Sequence, residues 1–134
     1  MRTIAGERKL SDVGVGDLLV ALRKSVEQHP QATAVSAPDG SFTFAELATQ
    51  VDRLCSTLAA RQVGVGSTVA LNCGRSRNAP AALLAVWTLG ATAVPLDARH
   101  PVDRLNFMLR DAGAELLLGD RLPPGRCAAA RPRA

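Results

Sequence analysis

The chain has no tyrosine, and aromatic residues make up only 3% of its 134 positions. Any interior must therefore be aliphatic and alanine-rich. Cysteine is equally sparse: Cys55, Cys73 and Cys127 are an odd number with no Cys-x-x-Cys pair, and His29 and His100 lie far from all three. That spacing excludes a disulfide framework and a zinc site. Long apolar runs are missing too. The longest, residues 79–89, spans about 11 residues where a membrane helix needs ~20. Near Met1 stand Glu7, Arg8 and Lys9, not the apolar stretch of a secretory signal. No membrane partner is expected, and the expected location is cytoplasmic.

The formal net charge is +4, but the excess is confined to Arg121, Arg126, Arg131 and Arg133; residues 1–120 balance 12 basic against 12 acidic side chains. Four arginines among prolines and alanines make no basic groove, so no nucleic-acid partner is expected. With 47% apolar and 21% charged residues, the composition is that of a globular protein. The length suits one domain, able to bury about 65–70% of its unfolded surface.

Residues 1–16 are mixed and punctuated by glycine, and read as a flexible lead-in. From Asp17, a fair N-cap, Leu18, Leu19, Leu22 and Val26 fall on one helical face until Pro30. Thr33–Ala37 and Ser41–Phe44 read as a hairpin around Pro38-Asp39-Gly40, where proline sets φ, aspartate bonds locally and glycine tolerates positive φ. Thr43 and Glu46 fit a capping box, followed by Leu47, Val51, Leu54 and Leu58 at helical spacing. Thr68–Cys73 reads as an apolar strand and 79–89 as a helix buried nearly all round. Ala91–Leu96 is a second strand, a helix enters at Pro101 and ends by Gly113, and Glu115–Leu118 is a last strand. Strands separated by single helices must run parallel, and solid apolar runs mark strands buried on both faces. The expected fold is an open, mainly parallel α/β sheet with helices on both faces plus a short hairpin, over residues 17–120. Residues 121–134 show neither period and read as a disordered Arg/Pro/Ala tail.

No chemistry-bearing group rises clearly above a structural role. Gly64-Val65-Gly66 lies after a helix and before a strand, the reverse of a phosphate cradle, and reads as a helix C-cap and turn. Gly14-Val15-Gly16 has no strand before it. Neither glycine pair continues into a Walker loop. His100 and His29 each precede a proline, and no nucleophile stands near them. Asp97 sits where an open α/β sheet binds ligands, yet turn formation accounts for it. Arg75 and Arg77 share that edge and read as a solvated loop, though they could attract an anion. Trp87, Cys55 and Cys73 read as buried hydrophobes.

Two segments carry more. Ser41-Phe42-Thr43-Phe44-Ala45-Glu46-Leu47 resembles the first signature of the adenylate-forming (AMP-dependent synthetase/ligase) enzymes, Leu-Thr-Tyr-x-Glu-Leu. Residues 87–97, Trp-Thr-Leu-Gly-Ala-Thr-Ala-Val-Pro-Leu-Asp, resemble the second, Leu-Lys-Ala-Gly-x-Ala-Tyr-Val-Pro-Leu-Asp. Gly64–Leu71 and Pro101–Gly113 fit the same register. Over residues 17–120 the chain is most similar to the adenylation domain of nonribosomal peptide synthetases. Ala93 stands in place of the usual tyrosine, and Trp87-Thr88-Leu89 in place of Leu-Lys-Ala; the tail matches nothing in the pattern and reads like out-of-frame translation or a degraded gene.

That resemblance implies a ligase that joins a carboxylate to ATP with Mg, releases pyrophosphate and passes the acyl group to a carrier-protein thiol. The family's Ser/Thr/Gly-rich phosphate loop, its nucleotide and substrate contacts and its lid lysine find no counterpart here. Catalytic, cofactor-binding and metal-binding residues are therefore all assigned as none. The resemblance thus implies a truncated N-terminal piece, inactive alone and without a cofactor of its own. The rival expectation is an interaction module that docks on a separately encoded synthetase remainder or a carrier protein, or that self-associates through exposed apolar sheet. A free-standing nucleotide-binding protein is disfavoured by the lack of a glycine loop between strand and helix.

Overall fold

The computed structural model describes residues 15–97, 99–119 and 128–130. Four helices and six strands follow in order: α1 (Val15–Gln28), β1 (Thr33–Ala37), β2 (Gly40–Thr43), α2 (Phe44–Ala60), β3 (Thr68–Asn72), α3 (Asn78–Thr88), β4 (Thr92–Pro95), α4 (Val102–Asp111), β5 (Leu116–Gly119) and β6 (Ala128–Ala130). β1 and β2 pair antiparallel as a separate two-stranded sheet, with Ala37 opposite Gly40. Gly40 has φ +138°, a conformation that L side chains rarely adopt.

The main sheet has the order β4-β3-β5-β6. β3 runs parallel to both neighbours, with Val69 opposite Ala93 on one side and Leu116 on the other. Each parallel step is made by one helix, α3 or α4, because a parallel connection must cross back over the sheet. As the central strand, β3 has no wet face. Val69 and Leu71 pack into a large core with α2 and α3, while Ala70 turns to the other side against Leu96 and Leu109. β5 repeats the alternation: Leu116 and Leu118 join the large core, and Leu117 the smaller one.

The two faces are unequal. On the larger, α2 contributes Leu47, Val51, Leu54 and Leu58, and α3 contributes Ala81, Ala82, Ala85 and Val86, all buried. The alanines let α3 approach both α2 and the sheet closely, which explains a core built with so few aromatics. The smaller face is covered by α4 through Leu105, Met108 and Leu109, while Phe107 on the same helix stays 63% exposed. Helices thus lie on both faces, as expected.

Several local expectations need correction. Helix α1 begins at Val15, so Asp17 lies inside its first turn and is not the N-cap, and Gly16 belongs to the helix instead of a lead-in. Residues 1–14 lie outside the described residues. Helix α2 ends at Arg61, and the positive-φ residue that turns the chain is Gln62 (φ +65°), two positions before Gly64. Glycine is the usual choice there but not the only one tolerated. Trp87 is half-buried and stands outside the core, because the inward positions of α3 are taken by small residues. β3 ends at Asn72, leaving Cys73 buried just beyond it.

The disordered tail does not hold at Ala128–Ala130, which pairs antiparallel with β5, Leu118 opposite Ala129. Three alanines on an edge are held through backbone hydrogen bonds, and so short a strand shows no side-chain period to read. The rest of that segment, 120–127 and 131–134, lies outside the described residues.

Candidate functional site

An open α/β sheet presents ligand-binding loops at the C-terminal ends of its strands. Here that edge carries the β3–α3 loop (73–77) and the β4–α4 connection (96–101). The first loop turns at Gly74 (φ +56°) and brings Arg75 to the surface. Arg77 is not solvated. Its backbone N–H donates to Asp39 Oδ1 at 2.9 Å, its Nη1 donates to the Ser41 carbonyl at 3.3 Å, and its guanidinium lies 4.7 Å from the centre of the Phe42 ring. Asp39 therefore bonds 38 residues away instead of locally within its turn. Two buried polar atoms of this region, Asn72 Oδ1 and Ser76 Oγ, have no hydrogen-bond partner among the described residues.

In the second connection Asp97 organises a turn. Arg99 donates its backbone N–H (2.9 Å), Nε (3.0 Å) and Nη2 (2.7 Å) to the Asp97 carboxylate, and His100 N–H bonds the Asp97 carbonyl. The Arg99 side-chain bonds, followed by its backbone N–H, hold the Asp97 carboxyl well below the usual carboxylate range. That carboxylate is committed to its neighbour. Pro101 enters α4 as N-cap and has no N–H to offer a ligand. His29 follows α1 at the opposite end of the chain from these groups, with its N–H on the Ser25 carbonyl.

Between the two loops lies an open apolar depression of about 330 Å³, lined by Leu71, Cys73, Ala79, Leu83, Pro95 and Leu96. Cys73 Sγ lies 3.8 Å from the Leu118 carbonyl. Cys55 faces Ala85 O at 3.6 Å, and burial, reinforced by Asp52, pushes its thiol up. Both cysteines pack as small hydrophobes, as their sequence positions suggest. Cys127 lies outside the described residues.

Of the candidates, the structure brings Arg75, Arg77, Asp97 and His100 to one edge, with no nucleophile–base pair among them. No group of three or more His, Cys, Asp or Glu able to hold a metal occurs among the described residues. Nor is any described helix long and apolar enough to cross a membrane. Sequence reasoning missed Asp39 as a partner of Arg77, and no signal within a short window could have linked them.

A sequence profile described as AMP-binding enzyme matches residues 22–133. The chain belongs to this family. The match runs through residue 133, so the arginine-rich end falls within the family alignment, against the expectation that it matches nothing there. Composition treats such a stretch as low complexity; alignment compares it position by position. FR901469 synthetase of Dothideomycetidae sp. (strain 11243) is 36% identical over 134 aligned positions, covering 92% of this chain and 1% of that protein. Phosphinothricin tripeptide synthetase PhsC of Streptomyces viridochromogenes is 39% identical over 107 positions, 80% of this chain and 10% of its own length. Among solved structures, holo-AB3403, a four-domain nonribosomal peptide synthetase bound to AMP and glycine, superposes with a TM-score of 0.71 at 28% identity, over 77% of this chain and 8% of that one. The chain thus spans a tenth or less of these relatives. Its fold is that of the N-terminal part of an adenylate-forming domain.

AMP-binding enzymes use ATP, and the described loops do not suit its phosphates. A phosphate needs free N–H groups and positive charge at a strand–helix junction. At the start of α3 the Asp39 carboxylate is already bound and Arg77 is turned onto Phe42; at the start of α4 stands Pro101, behind the Asp97–Arg99 pair.

Proposed function

We propose that this chain is scaffold for an ATP-dependent, Mg-requiring ligase of the cytoplasm that activates an amino or other carboxylic acid as its adenylate and hands it to a carrier thiol. By itself it forms no adenylate. The observation that carries the second part is the chemistry at the ligand edge: both helix entrances that a phosphate would use are closed, one by Asp39 and one by Pro101. The test is ATP–pyrophosphate exchange by the purified chain over a broad panel of amino and aryl acids. No exchange above the enzyme-free rate is expected; robust exchange with any acid would end this reading.

A second reading, docking on a separately encoded synthetase remainder, is favoured by one feature. The apolar depression lined by Leu71, Leu83 and Leu96 opens beside β4, the edge strand that among the described residues has a neighbour on one side only. Edge strands beside bare apolar surface invite association. Co-expression with candidate synthetase subunits should then yield a complex of defined stoichiometry, and a chain that stays monomeric alongside every one of them would exclude it.

A further inference from the structure

We propose that the hairpin turn acts as a remote cap for α3, and that Asp39, Phe42 and Arg77 form a latch holding the β1–β2 hairpin and the β3–α3 loop as one unit. Helix α3 cannot cap itself. Its N-cap residue, Arg77, makes no side-chain capping bond, and the position that would reach back in a capping box is Pro80. The backbone N–H of Arg77 is instead satisfied by Asp39, which also places a carboxylate at the positive pole of the helix.

The guanidinium closes the other half of the latch, stacking on Phe42 and donating to the Ser41 carbonyl. Gly40 is where the two halves meet. A Cβ built on it would lie 3.2 Å from Arg77 Nη1, and its φ of +138° already disfavours a side chain. One turn further along α3's partner helix, Gln50 Nε2 donates to Asn78 Oδ1 at 3.3 Å, tying α2 to the same helix entrance. The hairpin has no strand pairing with the main sheet. The latch is therefore its polar tie to α3, and packing against α2 is its apolar one.

The latch works as a conformational device: opening it loosens the hairpin and frays the start of α3 together, while α4 and β5 keep their structure. Native-state hydrogen exchange on the full chain reads this directly. Asp39→Ala and Arg77→Ala should each speed exchange of the Ser41–Thr43 and Ala81–Ala82 amides by about five- to tenfold, the loss expected of a helix cap. The amides of Leu109 and Leu117 should not change. Asp39→Asn keeps an acceptor and should exchange more slowly than Asp39→Ala, which guards against a variant that merely fails to fold. Unchanged exchange at both latch regions, an equal rise at Leu109 and Leu117, or identical behaviour of the Asn and Ala variants would each overturn the proposal.

Discussion

Helices α2 and α3 pack into the same core yet begin in opposite ways. α2 carries its own start: Thr43 Oγ1 accepts the Glu46 N–H at 3.1 Å, and Glu46 Oε1 accepts the Thr43 N–H at 3.0 Å. α3 borrows its start from Asp39 in a turn two elements earlier. The difference teaches that a helix can be bounded correctly from its periodicity while the group that secures its end lies beyond any local reading. It also shows how one fold divides its labour. Local bonds set the element, and a distant bond sets where the element sits.

The largest effect should come from the core that the two helices share. Leu58, fully buried at the C-terminal end of α2, packs in the cluster that also holds Val86 of α3. Leu58→Ala should cost about 2–5 kcal/mol in denaturant unfolding, in one transition that melts both helices. Two separate transitions would show that α2 and α3 do not form one unit. Next comes Gly40→Ala, which forces a side chain into positive φ and against Arg77; a loss of about 1–2 kcal/mol is expected. Stability equal to the parent would break the remote half of the comparison.

Thr43→Ala tests the local half. It should cost about 1 kcal/mol, with faster exchange confined to the first turn of α2. A change at the start of α3 instead would contradict the division between local and remote caps. The smallest effect is a pH dependence. The Thr43 backbone N–H, then its hydroxyl, hold the Glu46 carboxyl below its ordinary value. Its support of α2 is therefore present above the unfolded glutamate range, about pH 4.3, and is lost as pH falls through the lower folded value. Glu46→Gln should flatten that acid limb, as followed by urea midpoints between pH 3 and pH 6 (roughly the span over which a carboxyl titrates). An unchanged limb would remove Glu46 from the account.

The α/β architecture was legible in the sequence because its signals are periodic or local. The spacing of Leu47, Val51, Leu54 and Leu58, the Thr43–Glu46 pair and the solid apolar strands each follow from short-range geometry. The Asp39–Arg77 contact was not legible, since it joins residues that only the tertiary fold brings together. Trp87 misled because a bulky apolar residue in an apolar helix suggests the core, whereas α3 packs through its alanines. β6 was missed because an all-alanine edge strand carries no pattern. The family was readable in residues 41–47 and 87–97, a helix start and a strand with its turn. Those are scaffold positions, so the candidate site they led to contained supports rather than reacting groups.

The most direct test of that division between scaffold and chemistry is mass-spectrometric detection of acyl-AMP after incubating the purified chain with ATP, Mg and a carboxylic-acid panel. No adenylate is predicted from this polypeptide alone. A single acyl-AMP species that grows with protein concentration would contradict the account.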